Sequence, residues 1–182
     1  MSEIQLDKEE KIRNELSSLA SSLQTLQLAT VDESGQPYAS YAPFVREGDE
    51  GLVLYVHLSE LARHCSNLNN NGKVSALLIE DESQCKTVFA RKRITLEGKA
   101  EKLNKNSAEW ESVMQHFEDR FGTFFTKSLR NLDDFHTFRL EFQAGTLVLG
   151  FGEAFRLEGK NLGQMGWLKG EHGKAGTGLA KV

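Results

Sequence analysis

The stretch of residues 25–45 restricts the possible folds of this chain more than any other, because its pattern is that of one β-hairpin. Leu26, Leu28 and Thr30 fall on one side of the first strand, following the two-residue period of β-structure. Residues 32–35, Asp-Glu-Ser-Gly, supply the polar residues and the glycine that tight turns favour. The sequence therefore predicts two antiparallel strands joined by a short turn.

The second strand of this hairpin carries several small side chains. Two sets alternate along it, Tyr38, Ser40, Ala42 and Phe44 on one face and Ala39, Tyr41, Pro43 and Val45 on the other. The small residues leave space where a flat ring could lie against the backbone. Pro43 has no N–H to donate to a sheet ladder, so it predicts a strand edge or a bulge at this point.

Composition predicts an ordinary globular protein. The 182 residues are the length of one domain, with 39% hydrophobic and 26% charged residues. No segment approaches the roughly 20 apolar residues of a membrane span, and the first residues lack the features of a secretory signal. Cys65 and Cys85 have no paired spacing that would indicate a disulfide framework or a zinc site. We therefore expect a cytoplasmic protein, and the net charge of −4 argues against general nucleic-acid binding.

Apolar periodicity predicts a mainly β fold, a barrel with peripheral helices in a single domain over residues 1–182. A first helix is predicted over about residues 7–22, opened by a capping box from Asp7 to Glu10. Later helices are predicted after Ser59 and Asn106. Strands are predicted over residues 52–56, 74–80, 88–103, 135–142 and 146–157. From residue 159 to 182 the chain is rich in glycine, which predicts a flexible tail that cannot form a packed core.

Several short motifs, taken in order, resemble those of one known family. They are Ser40-Tyr41-Ala42-Pro43-Phe44, Leu61-Ala62-Arg63-His64 with Asn67-Leu68, Phe89-Ala90-Arg91-Lys92-Arg93, Asp134-Phe135 and Gly150-Phe151-Gly152. The chain resembles the HugZ/HutZ family of haem utilisation proteins, which have the FMN-binding split barrel of the pyridoxamine phosphate oxidase type. This resemblance implies a split-barrel homodimer that binds haem between its subunits. It also implies oxidative opening of the porphyrin ring with release of iron, driven by an external electron donor.

His172 lies in the glycine-rich tail, in the run Gly-Glu-His-Gly. Judged by these residues alone, the default interpretation is a solvated histidine without a role. The alternative is an axial iron ligand, because glycines let the backbone close over a flat macrocycle. The resemblance implies the alternative, since the family ligates haem iron with a histidine in this tail.

Asp134 precedes a predicted strand, where an aspartate commonly ends a turn. The resemblance implies that Asp134 of one subunit reaches the haem-ligating His172 of the partner subunit. As an acceptor for the ring N–H, it would fix the tautomer of the imidazole and make it a stronger electron donor. By alternation Asp133 points the other way, which makes it the natural control.

Arg91 and Arg93 lie on one face of the predicted strand 88–103, with Lys92 on the other. Such a run is commonly a solvated face, and a pair of guanidinium groups also suits a carboxylate or a phosphate. Haem would use the pair for its propionates or for polar contacts near the reacting oxygen, whereas FMN would use it for its phosphate. Together with Tyr41 and His172, these arginines are the expected ligand-binding residues.

Two other functions stay open at this point. One is an FMN-dependent oxidoreductase of the pyridoxamine phosphate oxidase type that uses the same cleft. The other is a haem carrier without turnover. The tail histidine favours haem over FMN, and no feature of the sequence separates a carrier from an enzyme.

Overall fold

A computed structural model describes residues 3–47, 52–159 and 162–168 of the chain. Four helices lie in these residues: α1 (Glu3–Ser22), α2 (Arg63–Asn71), α3 (Ala108–Phe121) and α4 (Thr123–Arg130). The strands are β1 (Thr25–Val31), β2 (Pro37–Arg46), β3 (Val53–Ser59), β4 (Lys73–Ile79), β5 (Arg93–Lys102), β6 (Phe135–Gly150), β7 (Glu153–Glu158) and β8 (Gln164–Trp167).

Six of these strands close into a barrel. They follow the order β3-β2-β1-β4-β5-β6, and β3 also pairs with β6 to complete the ring. Neighbouring strands are antiparallel throughout. β7 and β8 extend the sheet outward from the second half of β6. The prediction of a mainly β barrel with peripheral helices is confirmed.

The barrel is split along part of one seam. The predicted hairpin forms β1 and β2, with Val31 paired to Pro37 and Gly35 at φ +83° in the turn. β2 pairs with β3 only over residues 44–46, so residues 37–43 have a ladder partner on the β1 side alone. Pro43 lies where this open edge begins, which agrees with the edge position that its missing N–H predicts.

Two apolar clusters hold the fold together. The barrel interior contains fully buried side chains from the six strands, including Leu26, Leu28, Phe44, Leu54, Leu78, Ile94, Leu96, Phe138 and Leu140. A second cluster packs α3 against the barrel and consists of Val45, Tyr55, Leu103, Trp110, Val113, Met114 and Phe117. The buried face of α3 is formed by apolar side chains that recur along it at helical spacing.

The predicted helix starts need correction. α1 ends at Ser22 as predicted but begins at Glu3, so Asp7 lies inside the helix and cannot cap it. At α3 the cap is Ser107, whose hydroxyl accepts the N–H of Trp110 at 3.2 Å. Asn106 has φ +69° and precedes the cap, because a capping residue needs the extended backbone that Ser107 has.

The predicted strand 88–103 is shorter in the structure. Residues 88–90 form a short 3-10 helix, and β5 begins at Arg93. The reason is that β4 ends at Ile79, the partner of Arg93, so residues 88–92 have no strand beside them. Arg91 therefore lies outside the strand, and the predicted alternation of Arg91, Lys92 and Arg93 along one strand is wrong.

The last predicted strands are divided differently. Residues 135–150 form one continuous strand, β6, and the chain turns at residues 151–152. Gly145 does not end a strand. A Cβ at Gly145 would lie 2.7 Å from the backbone oxygen of Thr95, so the glycine permits close approach of β5 and β6.

Part of the predicted tail is ordered into the sheet. β8 pairs with β7, Leu162 is buried, and the ring of Trp167 meets Phe155 edge-on at 5.0 Å. These apolar side chains pack against the sheet, which the glycine-rich composition of the tail does not predict. The rest of the tail, from residue 169 onward, lies outside the described residues.

Candidate functional site

The strand directions define two ends of the barrel. At the end we call the turn end lie the β1–β2 turn, the end of β3 and the start of β6. At the opposite end, the α1 end, β4 finishes and β5 begins. Asp134 precedes β6 at the turn end, and Arg91 and Arg93 lie at the α1 end, where Lys92 contacts Glu15 of α1 at 2.7 Å.

Asp134 is held by the last residues of β3 and the turn after it. The Ser59 hydroxyl donates to Asp134 Oδ2 at 3.1 Å, and the Glu60 N–H donates to the Asp134 carbonyl oxygen at 2.7 Å. The Asp134 side chain is half-buried. Its second oxygen, Oδ1, accepts no hydrogen bond within the part of the chain that the structure describes. That oxygen can accept a hydrogen bond from a donor outside the subunit.

The charged residues next to Asp134 in the sequence are paired with other side chains. His136 Nε2 contacts the Glu60 carboxylate, and the fully exposed Asp133 forms an ion pair with Lys105 at 3.0 Å. A cavity of about 450 Å³ lies beside them, lined in part by Asp133, His136 and Lys105. The two adjacent aspartates lie in the turn before β6 and have different surroundings.

The guanidinium groups of Arg91 and Arg93 differ in the number of hydrogen bonds they already make within the chain. Arg91 donates from Nε to the Glu80 carbonyl at 2.9 Å and from Nη1 to Glu82 at 2.9 Å, and its side chain is only 17% exposed. Arg93 donates from Nη1 to the Arg91 carbonyl at 3.1 Å. The guanidinium of Arg91 is thus largely occupied within its own loop, and Arg93 is the less constrained of the pair.

Tyr41 lies on the outer face of β2, 63% exposed, along the split. Its neighbours on that face, Ala39 and Pro43, are also exposed, so small side chains do line this surface as predicted. On the other face Ser40 is covered by α2, and its hydroxyl contacts His64 Nδ1 at 2.9 Å. Burial lowers the pKa of His64 below its usual value.

The predicted site residues are not brought together within one chain. Asp134 and the arginines lie at opposite ends of the barrel, and Tyr41 lies on the outer face between them. His172 lies outside the described residues. Among the described residues, no three His, Cys, Asp or Glu side chains cluster closely enough to hold a metal ion.

His57 is the most strongly perturbed histidine at the turn end. Its Nδ1 contacts the Thr137 hydroxyl at 2.9 Å, and its ring packs on Phe135 and Phe117 at 5.1 and 6.2 Å. Burial lowers its pKa to about 4. The ring is therefore neutral at pH 7 and has a structural role between β3, β6 and α3.

We expect His57 to make the protein less stable in mild acid. Its pKa in the folded state, about 4, lies below the ordinary value of about 6.5, so its stabilising effect is complete above pH 6.5 and is lost as the pH falls toward 4. The expected loss is about 3 kcal/mol in the free energy of unfolding. Urea unfolding of the parent and His57→Gln at pH 7 and pH 4.5 measures it. The variant should lose less stability between the two pH values, and an equal loss in both proteins contradicts this role.

Sequence reasoning missed Ser59 and Glu60 as partners of the Asp134 region. Ser59 does not cap α2, because Ala62 directly precedes that helix and supplies no side-chain cap. Ser59 instead pairs with Phe135 in the β3–β6 ladder. The contact between Ser59 and Asp134 joins residues 75 positions apart, so no local pattern could have revealed it.

Comparison with known proteins agrees with this architecture. Residues 10–149 match the family model described as pyridoxamine 5'-phosphate oxidase. The chain is 39% identical over 168 residues to the heme oxygenase HutZ of Vibrio cholerae, covering 92% of this chain and 93% of HutZ. The crystal structure of HutZ, named there as a heme storage protein, superposes with a TM-score of 0.69 at 40% identity, covering 76% of this chain and 96% of HutZ. The structure of Campylobacter jejuni ChuZ superposes with a TM-score of 0.80 at 30% identity, covering 95% of this chain and 68% of ChuZ.

Barrel, split and family match together define the class of protein, a split barrel of the pyridoxamine 5'-phosphate oxidase type. Within that class the chain belongs to the HugZ/HutZ family. In the part of the chain that the structure describes, no helix is both long and apolar enough to cross a membrane.

Proposed function

We propose that this protein binds haem as a homodimer and degrades it, opening the porphyrin ring and releasing iron. The observation that carries the proposal is the Asp134 carboxylate, which is fixed through Oδ2 and has Oδ1 available at the turn end. A carboxylate held in this way is suited to orient a metal-ligating imidazole. The likeness to the heme oxygenase HutZ supports haem as the ligand.

A second copy of the chain is part of this proposal. Asp134 and the arginines lie at opposite ends of one barrel. Within one subunit they therefore cannot contact the same small ligand. In a two-fold symmetric dimer, the turn end of one subunit can face the α1 end of the other. Each of two equivalent sites would then combine Asp134 of one subunit with His172 and Arg93 of the partner subunit.

The described residues fit a flat, anionic macrocycle. The outer face of β2 is open along the split and carries Ala39 and Tyr41, a small residue next to an exposed ring. Arg93 offers a guanidinium for a carboxylate. Arg91 could add a second one only by leaving Glu82, so we expect Arg93 to contribute more to binding.

In the proposed site the protein supplies ligation and orientation. His172 would bind the iron as a neutral imidazole, and Asp134 would accept a hydrogen bond from the N–H of the other ring nitrogen. Haem supplies both the iron and the carbon that is oxidised, with electrons from an external donor.

The proposal is tested by titrating the purified protein with haem and with FMN. One haem per subunit should bind with the Soret band of histidine-ligated iron, and ascorbate with oxygen should bleach that band while iron is released. FMN should compete poorly. A yellow protein with tightly bound FMN and no loss of haem would support the oxidoreductase alternative, which the pyridoxamine 5'-phosphate oxidase match favours. Stable haem without loss would support a carrier, in keeping with the storage function named for HutZ.

Replacing the proposed ligand should change this spectrum. We expect His172→Ala to weaken haem binding or to shift the Soret band, because the variant lacks the imidazole that would ligate the iron. His116→Ala, which alters a histidine of α3, serves as the control. A Soret band and an affinity unchanged by His172→Ala would exclude this residue as the ligand and direct attention to His64.

A further inference from the structure

We infer that Ser59 is a positioning residue for the reaction, acting through Asp134. Ser59 would set the orientation of the Asp134 carboxylate so that Oδ1 faces outward to the imidazole of the partner subunit. This inference rests on the proposed function and goes beyond it, because it adds a residue that itself touches neither haem nor its ligand.

The hydrogen bonds of Ser59 orient its hydroxyl proton toward Asp134. The Leu61 N–H donates to Ser59 Oγ at 3.2 Å, which occupies a lone pair of the hydroxyl oxygen. The hydroxyl proton then points to Asp134 Oδ2 at 3.1 Å. A hydrogen bond to an ionised acceptor is stronger than one between neutral groups, so the carboxylate is held through this oxygen.

The backbone restrains the same region. The Glu60 N–H donates to the Asp134 carbonyl at 2.7 Å, and Ser59 faces Phe135 in the β3–β6 ladder. The main chain of Asp134 is therefore fixed whether or not the Ser59 hydroxyl is present. Removing that hydroxyl lets the carboxylate rotate but leaves the backbone contacts in place. An effect of Ser59→Ala can therefore be assigned to positioning rather than to folding.

Among the described residues, Ser59 is the one side chain that contacts the Asp134 carboxylate. Its neighbour His136 is engaged by Glu60, and Lys105 is engaged by Asp133. No other hydrogen bond to the Asp134 side chain exists in the described part of the chain. Ser59 thus determines which oxygen stays free for a donor from outside.

The test compares Ser59→Ala with Ser59→Thr and with Asp134→Asn in the haem-bound, full-length protein. Ser59→Ala should shift the iron–histidine stretching frequency of the ferrous protein in the same direction as Asp134→Asn, by a smaller amount, and should slow haem degradation about 3- to 10-fold. Ser59→Thr keeps a hydroxyl at a strand end and should restore both values. Ser22→Ala is the matched control, because its hydroxyl donates only to the Leu19 carbonyl at the end of α1.

The outcomes separate this inference from the proposed function. If Asp134→Asn changes the stretching frequency and Ser59→Ala does not, the positioning role is overturned while the role of Asp134 stands. If neither variant changes it, both ideas are wrong. Crystal structures of the haem-free parent and of Ser59→Ala give a second measure. The Asp134 carboxylate should have a different orientation in the variant than in the parent.

Discussion

Asp134→Asn is expected to keep haem bound and to slow its degradation by about 10- to 100-fold, the range found when the residue supporting a metal ligand is altered. The substitution is nearly isosteric but leaves one acceptor oxygen, which can face either the Ser59 hydroxyl or the ring N–H. An amide accepts the ring N–H less well than a carboxylate, so the imidazole would donate less electron density to the iron. Single-turnover decay of the Soret band with ascorbate and oxygen measures the rate.

Asp133→Asn is the control for this prediction. Asp133 is fully exposed and pairs with Lys105, so the same change of charge occurs one residue away without reaching the proposed ligand. Equal rates for the two variants, or a parental rate for Asp134→Asn, would contradict the proposed role.

Mixed dimers test whether the two residues act across subunits. Dimers of one His172→Ala chain and one Asp134→Ala chain should recover part of the activity, because one of their two sites regains both residues. Absence of recovery in dimers shown to be mixed would mean that the residues act within one subunit or that one has no role.

Gly98→Ala is expected to be the most destabilising single-methyl change in the barrel. A Cβ at this position would lie 1.9 Å from the backbone oxygen of Glu141 and 2.8 Å from the Cα of Phe142. Gly98 lies at the register shift between β5 and β6. The atoms that an added Cβ would clash with belong to the backbone, so no side-chain rotation can relieve the clash. We expect a loss of about 4 kcal/mol or more in the free energy of unfolding, with a melting temperature about 10 °C lower.

Gly166→Ala makes the same chemical change in β8. A Cβ at Gly166 has no atom within 4 Å, so stability should change by less than about 1 kcal/mol. Thermal and urea unfolding of both variants give the comparison. A Gly98→Ala protein as stable as Gly166→Ala would mean that β5 and β6 can separate without cost, against the close contact at the bulge.

The sequence by itself determined the elements that depend on near neighbours. The hairpin of β1 and β2 follows from alternation and a glycine turn, and α3 follows from an apolar stripe at helical spacing. In both, the residues that decide the structure are a few positions apart. The order of short motifs was also sufficient to predict the family, which the 39% identity to HutZ over 92% of the chain confirms.

Only the tertiary structure decided where strands end and which residues meet. β5 begins at Arg93 because β4 ends opposite it, and β6 runs on through Gly145 because β5 lies close against that glycine. Residues 164–167 form a strand because they pair with the free edge of β7. Ser59 reaches Asp134 because β3 closes the barrel on β6. Each of these outcomes depends on a partner far away in the chain, so the physical cause lies in strand pairing rather than in local sequence.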